Sequence, residues 1–378
     1  MSRGCVHIRL PPVARQGVSG YQRSHQTLLK TKSVLAGTCA LRFAFRTPHA
    51  PANRDWFGTR SVYGGPDYGS GVGKRKAHHI RAVTNSLPIS TAPLLDVRPR
   101  SEFQEKHLVG ATSIPLAELT ARLYELPPKY LPDPLRLCGQ PADLDAARAI
   151  LLEWGWRVED RMLDTSNAST WDSVEVEQGG SGVRIWKPSE FLEDVFPEVL
   201  KALRRAEQAT ANHSQRRVAV DVGCGSGRDM VYMALELGPS WEVIGIDNHT
   251  NALARAVALG EREGVTVTSL ERDLRKQGLG DIRADLVHGS RFLARELFPE
   301  IRDVVLKPGG VFIWSHFLEG CEKLAPPRRP SRQLQEGELA ETFVEEGGFL
   351  PIHDEESIMT TRYEDVPAAF FAAQKPWN

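Results

Sequence analysis

The sequence predicts an α/β chain of two domains, each built on a parallel sheet, and three observations carry that prediction. Short apolar, β-branched runs alternate with amphipathic helical segments from Leu94 onward, the pattern of parallel strands joined by helical crossovers. The alternation occurs twice, over residues 89–175 and again over 183–378. At 378 residues the chain also exceeds what one core of ordinary size organises.

Composition narrows the function classes. The chain is 41% hydrophobic and 25% charged with a formal net charge of -1, which favours neither nucleic acid nor a membrane surface as a partner. No apolar run approaches the ~18 residues that would span a bilayer. Cys5, Cys39, Cys138, Cys224 and Cys321 lack CxxC or metal-ligand spacing, so neither a disulfide framework nor a metal site is expected. Before Asp55 there is no Asp or Glu, while arginines and lysines are spread among Ser, Thr and small residues. That composition predicts an organellar transit peptide, with the mitochondrion favoured over the plastid because arginine dominates. A basic tail of no targeting role is the other reading, and it would leave the chain cytoplasmic. A Gly-rich, aperiodic connector then runs to about Pro88, so residues 1–88 stand apart from both domains.

The first domain opens with "PLLDVRPRSEFQEKHLVGATSIPL". A buried-type strand over Leu94–Val97 is closed by Pro99, and a helix capped by Ser101 carries Phe103 inward. From Pro134 a strand "LRLC" leads through "GQPAD" into a helix whose apolar stripe is expected at Ala146, Ala149, Ile150 and Leu152 to Trp154. With Asp96, Arg98, Glu102, Phe103, His107, Gly110, Ala111, Ile114 and Pro115 in pattern positions, the segment resembles a rhodanese-like domain. The resemblance implies a role for Cys138 at the end of its strand, where active members carry sulfane sulfur as a persulfide and helix-terminal amides stabilise the anion. The loop departs from the family's glycine-rich, basic pattern. Asp143 stands where an arginine is common, and an acid beside a thiolate raises its pKa and repels anionic sulfur donors. Weakened sulfur transfer and a non-catalytic binding role therefore both stay open.

The second domain holds "RVAVDVGCGSGRDMVYMALELG". A strand ends at Asp221, Gly223, Gly225 and Gly227 form a turn, and Met230, Met233, Ala234 and Leu237 share one face of the following helix. A pyrophosphate binder calls for G-x-G-x-x-G, but here the third glycine falls one position early. The next strand, "WEVIGID", ends at Asp247, 20 positions after Gly227, where a carboxylate can accept both hydroxyls of a ribose. A third, "VTVTSLERD", brings Asp273 to the adenine side. Three acids at successive strand tips suit a cationic nucleoside without phosphate.

With "VDVGCGSGRD", "LKPGG" and "RIWKPSEFL" in place, the segment resembles class I S-adenosylmethionine-dependent methyltransferases, in particular the tellurite-resistance-type small-molecule branch. The resemblance implies a doubly wound Rossmann-like sheet with a C-terminal antiparallel strand. It also implies S-adenosyl-L-methionine as cofactor, with the glycines facing the methionine moiety, Asp221 its amino group, and "RIWKPSEFL" closing over it. Methyl transfer from a sulfonium chiefly requires alignment and exclusion of water; a thiol or chalcogen acceptor needs little help, whereas an amine or hydroxyl calls for a base. Arg291, Arg295 and His316, and more loosely Arg328 and Arg329, follow the fourth and fifth strands as acceptor-site candidates. Helix-surface charge is the competing reading for the arginines, and a structural histidine for His316. Cys224 is read as inert. Two functions remain: a methyltransferase acting on a small, thiol or chalcogen, acceptor with a sulfane-sulfur donor at the first domain, or a sulfur-carrier adaptor using Cys138 with a regulatory cofactor domain.

Overall fold

The computed structural model describes residues 92–172, 175–180, 182–209, 216–323, 326–361 and 364–377, which lie within one compact unit, Val83–Asn378. The targeting and connector expectations for residues 1–88 fall outside the described residues. Two sheets organise the unit, each with its own core.

The amino-terminal sheet has four parallel strands, β1 (Leu94–Asp96), β2 (Ala111–Ser113), β3 (Arg136–Gly139) and β4 (Leu163–Asp164), in the order β2-β1-β3-β4. Alternation sends Leu95 and Leu137 to one face, where Leu119, Leu144, Ala147 and Leu151 cover them. Leu94 and Cys138 go to the other, against Phe103 and Ala111. Helix α1 (Arg100–Glu105) buries Phe103 completely, but it begins behind Pro99 without a side-chain cap. Ser101 lies inside it and is not its cap. Helix α2 (Pro141–Glu153) buries Leu144, Ala147 and Leu151, so the expected stripe is displaced. Pro141 fixes the first turn, and the i, i+3, i+7 face counted from Leu144 leaves Leu152 and Trp154 about half exposed.

The carboxy-terminal sheet has seven strands: β5 (Arg217–Val222), β6 (Trp241–Asp247), β7 (Thr268–Glu271), β8 (Ala284–Ser290), β9 (Leu306–Phe317), β10 (Leu350–Thr360) and β11 (Asp365–Gln374). Their order is β10-β11-β9-β8-β5-β6-β7. Strands β5 to β9 pair in parallel, and β11 is antiparallel to both β9 and β10, as expected for the C-terminal strand. Helices α3 (Glu190–Ala209), α4 (Arg228–Leu237) and α5 (Thr250–Arg262) cover one face. The other is closed by an aromatic cluster in which Phe312 stacks on Phe343 at 3.9 Å between ring centroids and Phe298 meets Trp314 edge-on. Strand order reverses beside β5, with β6 on one flank and β8 on the other. A crevice at the carboxyl ends of these strands is where open α/β sheets bind ligands.

The sheets are joined by short-range chemistry. Gly182 forms an antiparallel bridge to Thr112 on β2, and a Cβ at that glycine would sit 2.0 Å from the Ala111 carbonyl oxygen. Glu125, only 4% exposed, accepts from Arg122 at 2.7 Å and from Arg262 on α5 at 2.6 Å, and Tyr124 Oη donates to the Arg255 carbonyl.

Candidate functional site

Strand β5 ends in the glycine turn. The N–H groups of Gly223 and Cys224 both donate to the Ile246 carbonyl, at 2.8 and 3.1 Å, stitching the turn to β6. Gly223, Gly225 and Gly227 have φ of 71°, 54° and 80°, left-handed values that an L side chain adopts only with strain. Two of the three are also crowded. A Cβ at Gly223 would lie 2.6 Å from the Phe292 ring, and one at Gly227 would lie 2.4 Å from Ala256 Cβ. Gly225 faces open space instead, leaving bare backbone toward the crevice. Cys224 points the opposite way, against Gly245, and burial pushes its thiol far above the ordinary range.

Asp221 lies at the strand tip, 2% exposed, and its Oδ2 is buried without a hydrogen-bond partner among the described residues. Its Oδ1 meets His288 Nδ1 on β8 at 2.8 Å, while His288 Nε2 is 4.0 Å from Asp229 on the first turn of α4. Burial disfavours the imidazolium, but hydrogen bonding to Asp221 and the charges of both acids outweigh it and hold His288 above the usual histidine range. Burial raises the Asp221 carboxyl, with His288 opposing. Sequence reasoning missed His288 and Asp229. The available signal was a histidine in the middle of the buried run of "ADLVHGS". Asp229 also accepts from the Ser189 N–H at 2.6 Å, and Trp186 Nε1 donates to Glu263 at 2.7 Å. The segment expected to close over the cofactor is thus tied to α4 and α5.

Asp247 is the last residue of β6. Its Oδ2 accepts from the Gly225 N–H at 3.0 Å, and its Oδ1 from the His249 N–H at 2.9 Å. It therefore braces the turn while facing the same crevice. Asp273 differs from expectation. It lies two residues beyond β7, and a 2.7 Å hydrogen bond from Lys276 holds its carboxyl below the usual range.

Arg291, just beyond β8, and His316, near the end of β9, line one cavity of about 450 Å³, together with Arg275, Phe292, Pro327 and Arg332. Phe292 is its wall toward the glycine turn, through the Gly223 contact. Arg291 has φ 55°, the one non-glycine positive φ among the described residues, and its N–H donates to the Ser315 carbonyl at 2.8 Å. Such strain concentrates at functional positions. Arg295 is not brought there, because it pairs with Glu338 at 2.7 Å and donates to the Ser331 carbonyl.

His316 is 3% exposed. Its Nε2 donates to the Arg332 carbonyl at 2.9 Å, which leaves Nδ1 as the lone-pair nitrogen, buried and without a partner among the described residues. Burial, aided by Arg295 and Arg275 against the Arg332 carbonyl and Glu338, lowers its pKa to about 4. The sign follows. The unfolded chain takes up a proton near 6.5 that the folded chain refuses, so this site loses stability as pH falls from about 6.5 to about 4. His316→Gln is expected to remove that loss, by no more than about 3 kcal/mol. Urea unfolding at pH 7 and pH 4.5 checks it, and equal acid sensitivity in both proteins would refute the assignment.

Cys138 lies where expected along the chain, next to the last residue of β3 with only Gly139 and Gln140 before α2, but its side chain is fully buried and registered between Asp96 and Leu163. Burial first, then Asp96, pushes its thiol well above the ordinary value. The acid is Asp96, paired with Arg98 at 2.6 Å, and not Asp143. No metal cluster of His, Cys and acids occurs among the described residues.

Residues 219–310 match a family model described as a methyltransferase domain. An uncharacterized protein, UNK4.09, of Schizosaccharomyces pombe is 22% identical over 310 residues, covering 69% of this chain and 88% of its own length. Residues 183–378 make up only about half of the chain, so that match reaches into the amino-terminal part. The release factor glutamine methyltransferase of Geobacter sulfurreducens is 39% identical over 89 residues, 24% of this chain and 28% of that protein. Among solved structures, TehB from Haemophilus influenzae aligns at 18% identity with a TM-score of 0.38, covering 53% of this chain and 73% of that one.

Proposed function

We propose that this chain, an S-adenosyl-L-methionine-dependent methyltransferase through its domain at residues 219–310, methylates a small molecule held in the cavity beside Phe292. The residues fit the cofactor. Gly225 offers unobstructed backbone, the buried Asp221 Oδ2 lacks a hydrogen-bond partner among the described residues and suits an ammonium group, and Asp247 adjoins Gly225. Bound there, the cofactor supplies an activated methyl group. The chain's own contribution is to orient it through Asp221 and Asp247 and to keep water out with Phe292.

The observation that carries the reading is the cavity of about 450 Å³ walled from the glycine turn by one aromatic ring, a size suited to a small ligand. A thiol or reduced chalcogen nucleophile suits it as well as an amine or hydroxyl. Incubating the full chain with methyl-labelled cofactor and separated pools of metabolites, RNA and protein tests the proposal. Label confined to RNA or protein would refute it.

The amino-terminal sheet belongs to this reading as a rhodanese-like, non-catalytic module. A sulfur-carrier role is disfavoured by a thiol sealed in a strand beside a carboxylate. Cys138→Ala is expected to leave the methyl-transfer rate within about two-fold, with no persulfide detectable by mass spectrometry on the parent chain. A persulfide, or a rate collapse without unfolding, would restore the sulfur-carrier alternative. We further propose mitochondrial delivery by residues 1–88, which imaging of the full chain fused to a fluorescent protein tests.

A further inference from the structure

From the same cavity we infer that the methyl acceptor is a small oxyanion-bearing molecule, a carboxylate or phosphate, whose protonated nucleophile hydrogen-bonds to Nδ1 of His316. This rests on the cavity being the acceptor site. Three exposed arginines line it, Arg275, Arg291 and Arg332, and none of them forms an ion pair with a carboxylate among the described residues. Arg275 is braced, donating to the Leu293 carbonyl at 2.5 Å with its guanidinium over the Phe292 ring at 5.1 Å. The nearby Glu338 is taken by Arg295. Uncompensated arginines around one opening select a planar anion that accepts paired hydrogen bonds.

His316 supplies the complement. Its Nε2–H is committed to the Arg332 carbonyl, so Nδ1 can only accept, and a buried acceptor left empty is costly. The step balances as follows. The acceptor's nucleophilic atom forms a bond to the transferred methyl carbon, and the electron pair of the broken carbon–sulfur bond stays on sulfur. The acceptor's proton, made strongly acidic as its atom gains the methyl group, passes to Nδ1. A weakly basic imidazole suffices because that proton leaves after the nucleophile has become electron-poor.

Two measurements on the full chain test the inference. Millimolar malonate is the binding probe and the uncharged malonamide its control. Malonate is expected to raise the melting temperature of the parent protein and malonamide to leave it unchanged, with the malonate effect lost in Arg291→Met and Arg332→Met. Cofactor titration of each variant verifies that it is folded. In the second measurement, metabolites labelled from the methyl donor are passed over an anion exchanger. Retained label supports the inference, as does a label yield at least about 10-fold lower in His316→Leu at unchanged cofactor affinity. Label that flows through overturns the anionic class and leaves small-molecule methylation standing. Label absent from all metabolites overturns both. Equal stabilisation by malonate and malonamide, or a malonate effect intact in both arginine variants, overturns the anion site.

Discussion

Asp247→Ala is expected to weaken S-adenosylmethionine binding by about 100-fold or more. The carboxylate receives the Gly225 N–H at 3.0 Å on Oδ2 and meets both the N–H and the Nδ1 of His249 at 2.9 Å on Oδ1, and in the proposed cofactor site the remaining Oδ2 lone pair at the tip of β6 would take a ribose hydroxyl. Hydrogen bonds to a charged group are worth about 1.5–3 kcal/mol each. One lost ribose bond at the upper figure already corresponds to about 150-fold. The turn is also released from β6 on one side, although the paired N–H groups of Gly223 and Cys224 on the Ile246 carbonyl remain. Asp247→Asn keeps one acceptor oxygen and should fall between, at about 10-fold. Calorimetric titration of both variants decides it. An affinity for Asp247→Ala within three-fold of the parent, a change of under about 0.7 kcal/mol, would remove this residue from the cofactor site.

The sequence shows the parts of this site that are local. A strand that stops at Asp221, three glycines in five positions and an acid at the next strand tip are neighbours along the chain or separated by one helix, and the structure brings Asp221, Gly225 and Asp247 to one crevice. It also gathers Arg291 and His316, because one follows β8 and the other ends β9, parallel strands that finish on the same side of the sheet. What stays hidden depends on long-range pairing. His288 meets Asp221 across 67 residues, and nothing in "ADLVHGS" names its partner. Arg275 and Arg332 reach the cavity from segments with no periodic pattern. Asp273 is expected at a strand tip, but β7 stops two residues short of it, and its capture by Lys276 is not legible in the sequence. The buried face of α2 is not legible in the sequence because Leu152 and Trp154 look like core residues, and only the packing on β3 shows that Leu144, Ala147 and Leu151 occupy that space. Cys138 follows the same logic: alternation alone puts it opposite Leu137, in the core, whatever its chemistry elsewhere.

Glu125→Ala is expected to destabilise the folded chain by about 3–5 kcal/mol, the range for stripping one partner from a buried ion pair. Arg122 has a second acceptor in Glu118 at 2.8 Å, so it is not abandoned. Arg262 is left with the Tyr124 hydroxyl alone, and its Nε already lacks a partner among the described residues. Its side chain is 23% exposed, which lets water offset part of the loss and places the result toward about 3 kcal/mol. Removing both charges separates this explanation from mere loss of packing: Glu125→Leu combined with Arg262→Met should recover most of the stability, since no unpaired ion remains. Because Glu125 belongs to the amino-terminal part and Arg262 to α5, the urea transition carries more than its midpoint. If the network couples the two sheets, the parent unfolds in one step and Glu125→Ala splits the transition, the amino-terminal part melting first. A single unshifted transition in the variant would mean that the apolar contacts and the Gly182 bridge hold the sheets together without the buried charges.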